Sequence, residues 1–143
     1  CSARLEPVQQ NIELFWKMGV WVEVTTLLIP GYNDSEPILE EIARFLASIS
    51  PDLPWHVSAF YPMYRMKDVP STDTESLRRG LSAGRRAGIK HVYAGNIPGE
   101  SENTLCPSCG ELLIERIGYR IMRNSLREGC CPHCRTALAG VWF

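Results

Sequence analysis

Four cysteines stand in two C-x-x-C pairs, Cys106-Pro-Ser-Cys109 and Cys131-Pro-His-Cys134, separated by the 21 residues from Gly110 to Cys130. Each pair can bend its backbone into a knuckle that aims both sulfurs at one ion. Two knuckles then make a closed tetrahedral S4 shell, which zinc favours. The spacing is just above the roughly 15–20 residues of the commonest pattern of this kind, and a hairpin fills it. Four thiolates leave no open coordination position, so the expected metal is structural rather than a Lewis acid. Two other readings use the same residues. A rubredoxin-like iron site has similar knuckles, whereas a catalytic dithiol needs a single pair at a helix N-terminus. Cys130 is either an inert neighbour or a substitute for Cys131, and His133 is expected to face solvent.

The hairpin that must carry these knuckles is readable between them. Residues 111–116 and 119–123 are short strand-like runs around Ile117 and Gly118. A module of fewer than 45 residues has little core of its own, so metal binding would supply much of its folding free energy. Five of the six cysteines fall within the last 38 residues. Clustering of this kind, with no secretory signal pattern, points to a metal site in a reducing, cytoplasmic setting rather than to a disulfide framework.

Upstream the pattern is different. Val8, Ile12, Phe15 and Trp16 recur at helical spacing before Gly19. Residues 20–29 are nearly continuously apolar and rich in β-branched residues, which suits a strand covered on both faces. Residues 30–34 form a turn, with Asp34 or Ser35 as the helix cap. Ile38, Leu39, Ile42, Phe45, Leu46 and Ile49 then mark one helical face, ended at Ser50-Pro51. A second strand covers residues 55–60, with Trp55, Val57 and Ala59 on one face and His56, Ser58 and Phe60 on the other. A third helix spans residues 73–87, capped by Thr72 or Asp73. Its Gly80 and Gly84 suggest a flat face packed close to a sheet, and Gly88 suits the C-terminal stop. Residues 89–95 make a third strand. The alternation implies parallel βαβ units, and residues 97–103 read as a polar hinge.

The whole is 143 residues, 45% hydrophobic and 22% charged, with a net charge of −1. These values exclude disorder and coiled coil, and no apolar run reaches the roughly 18 residues of a membrane span. Overall charge argues against nucleic acid and anionic lipid as partners. The chain opens on Cys1 rather than methionine, and three parallel strands are few, so it reads as part of a longer protein.

Several stretches resemble a known family: Cys1-Ser-Ala-Arg-Leu-Glu-Pro-Val8, Trp21-Val-Glu-Val-Thr-Thr-Leu-Leu-Ile-Pro-Gly-Tyr-Asn-Asp34, Pro54-Trp-His-Val-Ser-Ala-Phe60, Val92-Tyr-Ala-Gly-Asn96 and the closing C-P-x-C pairs. Together they are similar to the C-terminal part of radical S-adenosylmethionine enzymes of the pyruvate formate-lyase activating type. Within that group the match is to the AmmeMemoRadiSam system radical SAM enzymes. The resemblance implies an α/β fold, the C-terminal half of a partial (β/α)6 TIM-type barrel over residues 1–97. A zinc-ribbon module would follow over residues 98–143, with Zn2+ held by Cys106, Cys109, Cys131 and Cys134. It implies an enzyme that cleaves S-adenosylmethionine reductively to a 5′-deoxyadenosyl radical at a 4Fe-4S cluster. The family's C-x-x-x-C-x-x-C cluster motif does not occur in these residues, so the chain alone is expected to be inactive.

In a barrel of this type, side chains at strand faces and C-terminal strand ends line the cofactor cavity. The candidates are Glu23, Thr25, His56, Tyr61 and Asn96. Thr25 stands where the activating enzymes carry an arginine. Glu23 serves equally as half of an ion pair, His56 as a hydrogen-bonded core residue and Tyr61 as a loop anchor. The substrate would be a small molecule or a protein, with partner proteins of the AmmeMemoRadiSam system as candidates. A binding module without catalysis is the alternative, its ribbon (net charge +2 after Gly110) recruiting a protein or nucleic acid.

Overall fold

A computed structural model describes residues 3–97, 102–118 and 120–142. Three helices alternate with three parallel strands: α1 (Leu5–Lys17), β1 (Val24–Leu28), α2 (Glu36–Ile49), β2 (Trp55–Ala59), α3 (Thr74–Arg86) and β3 (Val92–Gly95). The sheet order is β1-β2-β3. A second, antiparallel sheet holds β4 (Thr104–Leu105), β5 (Leu112–Ile117) and β6 (Arg120–Asn124) in that order. The protein is thus mixed α/β, and among the described residues the parallel strands close no barrel. No described helix is long and apolar enough to cross a membrane.

Alternation of side chains decides where the core lies. Leu28, Trp55, Val57, Ala59, Val92 and Ala94 share one sheet face and are buried against Leu39, Ala43 and Leu46 of α2 and Leu77, Leu81 and Ala83 of α3. Full burial of each large aliphatic or aromatic side chain here is worth about 1.5–3 kcal/mol. The Trp55 indole N–H donates to Thr26 Oγ1 at 2.9 Å, which satisfies the one polar atom of the largest core side chain.

The helix ends follow local chemistry. Asp73, not Thr72, caps α3, its carboxylate accepting from Ser76 N–H at 2.6 Å. Thr72 is buried instead. Its hydroxyl reaches Leu28 O at 2.6 Å and Phe60 N at 2.8 Å, tying the ends of β1 and β2 together. Ser35 is the N-cap of α2 but its side chain makes no capping bond, and Asp34 turns back to accept from Gly31 N–H. Gly88 adopts φ +91° and closes α3 with Gly88 N to Arg85 O and Ile89 N to Gly84 O, the paired bonds of a Schellman end.

Two expectations about the first strand are corrected. The first strand is only Val24–Leu28, because residues 20–23 make no ladder with β2. It is covered on one face rather than two: Thr25 and Leu27 point away from the helices and are exposed. The apolar stripe of α1 is not buried either. Ile12 and Trp16 touch the core while Val8 and Phe15 stay about half exposed. Finally, Thr104 and Leu105 form a third strand on the hairpin. Most of the expected hinge, residues 98–101, and Tyr119 lie outside the described residues.

Gly80 and Gly84 let α3 settle onto the sheet. A Cβ on Gly84 would lie 2.8 Å from Val92 Cγ2 and 2.9 Å from Trp55 Cε3. Gly84→Ala should therefore cost about 1–3 kcal/mol through overpacking, despite the gain of about 1 kcal/mol in helix propensity. A lower urea midpoint for the α/β part checks this, and an unchanged or higher midpoint would show that the helix can retreat without penalty.

Candidate metal centre

The two knuckles repeat one backbone design. Cys106 N donates to Glu111 O at 2.8 Å and Gly110 N to Cys106 O at 2.9 Å. In the second knuckle Cys131 N donates to Thr136 O and Arg135 N to Cys131 O, both at 2.9 Å. The fourth residue after the first cysteine adopts positive φ in both, 77° at Gly110 and 62° at Arg135. Glycine takes this conformation freely, and the second knuckle imposes it on an arginine.

These turns bring the sulfurs of Cys106, Cys109, Cys131 and Cys134 within 4.8 Å of one another. Cys106 Sγ and Cys134 Sγ are 3.5 Å apart, Cys109 Sγ and Cys131 Sγ 3.7 Å. A tetrahedral ion with metal–sulfur bonds of about 2.3 Å sets its ligands about 3.8 Å apart, so the quartet fits a metal such as zinc. Cys106 and Cys131 are buried and pack with Leu113, Ile114 and Leu138, while Cys109 is exposed and Cys134 half-buried. That five-residue core is small enough for the ion to be its main cross-link.

Crowding splits the thiols electrostatically. The side chain and backbone of Thr136, the hydroxyl 3.1 Å from Cys134 Sγ, bring the Cys134 thiol down to about 6. Cys109 receives the Glu111 N–H, which favours its thiolate. Desolvation and the three neighbouring sulfurs outweigh that bond and push it up to about 12. A divalent cation relieves the mutual repulsion. Cys130 stays outside the quartet, its sulfur directed to Glu128 O, and the exposed His133 is likewise not among the ligands.

The other candidates fall into two groups. Thr25, His56 and Tyr93 are register partners across β1, β2 and β3 on the open face. His56 Nε2 lies 2.8 Å from Glu23 Oε2, and Trp21 Nε1 donates to Glu23 Oε1. The His56 ring stacks on Tyr93 at 5.2 Å, and the Arg116 guanidinium sits over the far side of this row, 5.8 Å from the Tyr93 centroid. Arg116 Nη1 also donates to Thr104 Oγ1, which bonds Tyr93 OH. Tyr61 and Asn96 form the second group, beyond the C-terminal ends of β2 and β3. Tyr61 OH donates to Asn96 O at 2.8 Å and Asn96 Nδ2 to Ala59 O. Glu23 and His56 sit at the opposite, N-terminal end of the strands. Sequence reasoning missed Tyr93 and Arg116; only the alternation of His91 and Tyr93 with the core residues Val92 and Ala94 hinted at the former.

Removing one ligand should test the metal's role. In Cys109→Ser, bound metal should fall well below one equivalent per chain and residues 104–142 should lose protection from hydrogen exchange, while the helical signal of α1–α3 persists. Retention of a protected hairpin after complete chelation would contradict a structural role.

The Glu23–His56 pair makes a separate prediction. The bond from His56, aided by Trp21 and by the charges of His56 and Arg116, outweighs partial burial and holds the Glu23 carboxyl at about 2, against an ordinary 4.5. Its stabilisation is complete above 4.5 and fades as pH falls toward 2. Glu23 is about half exposed, so solvent screening limits the effect to about 1 kcal/mol or less. Glu23→Gln should flatten that part of the acid-unfolding profile, and an unaltered profile would mean that the pair adds nothing to stability.

No family model matches the chain. It is 47% identical over 138 residues to Uncharacterized protein MJ0808 of Methanocaldococcus jannaschii, a match covering 94% of this chain and 41% of the relative. The chain therefore spans about two fifths of the length of the curated relative that it matches.

Proposed function

We propose that this chain is the C-terminal portion of a longer radical S-adenosylmethionine enzyme of the activating type, residues 1–97 forming part of a (β/α)6 barrel and residues 98–143 a zinc ribbon. The observation that carries this reading is the asymmetry of the parallel sheet. Helices cover one face, while the other presents Thr25, His56 and Tyr93, with Glu23 held by His56, and is met by Arg116 and Thr104 of the hairpin sheet only at Tyr93 among these residues. Barrels put their helices outside and turn the other face of each strand inward. The greater length of the relative supports further strands elsewhere in the polypeptide.

Within this reading, Tyr61 and Asn96 occupy the strand ends at which barrel chemistry gathers. Their mutual bond fixes the loop after β2 against the end of β3. Glu23 and His56 brace the opposite end of the inner wall. The described cysteines are Cys130 and the quartet, without a C-x-x-x-C-x-x-C triplet. This chain does not supply cluster ligands, and its part is to wall and cap the cavity. The ribbon, with its exposed Ile117, Ile121 and Met122, offers a surface to a protein substrate or to a partner of the AmmeMemoRadiSam system.

Anaerobic reconstitution of the longer protein tests the proposal. Iron and sulfide should each approach about four per polypeptide, and S-adenosylmethionine should be cleaved on reduction. A colourless, iron-free protein would overturn the enzymatic reading and leave a metal-stapled recruitment module.

A further inference from the structure

A cleft of about 260 Å3 opens between the start of β3 and β4, lined by Arg85, Lys90, His91, Tyr93, Asn103 and Leu105. It lies at the N-terminal edge of the sheet, beside the hairpin module and away from Tyr61 and Asn96. Among the described residues its polar lining is cationic or neutral. Arg85 and Lys90 bring two cations from the end of α3 and the approach to β3. Asn103 Oδ1 accepts the Arg116 N–H at 2.8 Å, which leaves the amide NH2 of Asn103 as a donor. Among the described residues no carboxylate lines the cleft. Asp52 lies behind Lys90 and holds its Nζ at 2.7 Å.

His91 is the decisive residue. It is 94% buried, with 6% of its surface exposed. Its ring stacks parallel to Tyr93 at 6.2 Å, which fixes its plane. Neither ring nitrogen has a hydrogen-bond partner among the described residues, yet neither is sealed from solvent without one. A buried polar side chain is ordinarily bonded, and His91 lines the cleft with ring nitrogens that reach solvent and are open to a partner there. Burial, with Lys90 and Arg116 adding to it against Asp52, brings His91 below its ordinary value. The neutral ring still offers one N–H.

We infer that this cleft is a binding site for the phosphate group of a small phosphorylated molecule, with Lys90 and Arg85 neutralising its charge and His91 and Asn103 donating to its oxygens. Point charge, guanidinium and neutral donors in one recess match a tetrahedral oxyanion. The volume is near the lower end of small-molecule pockets, about 300–1,000 Å3, so a phosphate and a short carrier fit where a polymer does not. The inference does not depend on the radical reading, because it uses only the opposite end of the sheet.

Titrating the metal-loaded protein with inorganic phosphate, at ionic strength held constant with sodium chloride, tests it through the imidazole NMR signals of its three histidines. The His91 signals should shift saturably, with half-saturation at about 1 mM or below, while His56 and His133 stay fixed. Lys90→Ala should weaken binding about tenfold, and the exposed position of Lys90 keeps the fold out of the result. Glycerol 3-phosphate binding more tightly than inorganic phosphate would support a phosphorylated carrier as the ligand. A linear response, equal shifts at all three histidines, or the same affinity in Lys90→Ala would overturn the site.

Discussion

Four sulfur atoms drawn to one point are the constraint on which the C-terminal part of this protein depends. Among the described residues the buried apolar side chains there are Leu113, Ile114 and Leu138 besides Cys106 and Cys131, and so few apolar groups cannot offset the conformational entropy of ordering a hairpin and two knuckles. An ion held by the quartet would supply the missing free energy, because it would bind only when the knuckles are folded. The two knuckles make the same pair of backbone bonds, and this repetition is why two distant stretches can present equivalent thiolates.

The order of the cysteine module extends beyond it. Arg116, on the central strand of the hairpin sheet, bonds Thr104 and lies over Tyr93, and Tyr93 stacks on His56, which holds Glu23. One row of polar and aromatic groups thus crosses from the cysteine module to the far edge of the parallel sheet. A charged group set over an aromatic face in a partly desolvated place is worth more than a surface ion pair. The row therefore links the parts of the chain that carry the two hydrophobic clusters.

The parallel sheet is governed by a different asymmetry. Its helices cover only the face of Trp55, Val57 and Val92. Gly80 and Gly84 permit close approach there, since a Cβ at Gly80 would strike Val57 and one at Gly84 would strike Val92 and Trp55. The opposite face carries polar groups that satisfy one another instead of an apolar layer. Such a face tolerates water and equally suits a cavity wall, which is the basis for reading the sheet as part of a larger enclosure.

Much of this was legible in the residues themselves. C-x-x-C pairs specify their geometry within four residues, so the candidate ligand quartet needed no knowledge of the fold. The helices and the faces of β2 followed from the periods of 3.6 and 2, which are local properties. What tertiary structure alone decided was contact across long separations. The apolar run at residues 20–29 read as covered on both faces, because hydropathy reports the tendency of a side chain to be buried and not whether a layer exists to bury it. Thr104 and Leu105 became a strand only because β5 offered a free edge. The meeting of Arg116 with Tyr93, and of His91 with the cleft, joins residues whose types carry no mutual signal. It arises where the two sheets come to lie side by side.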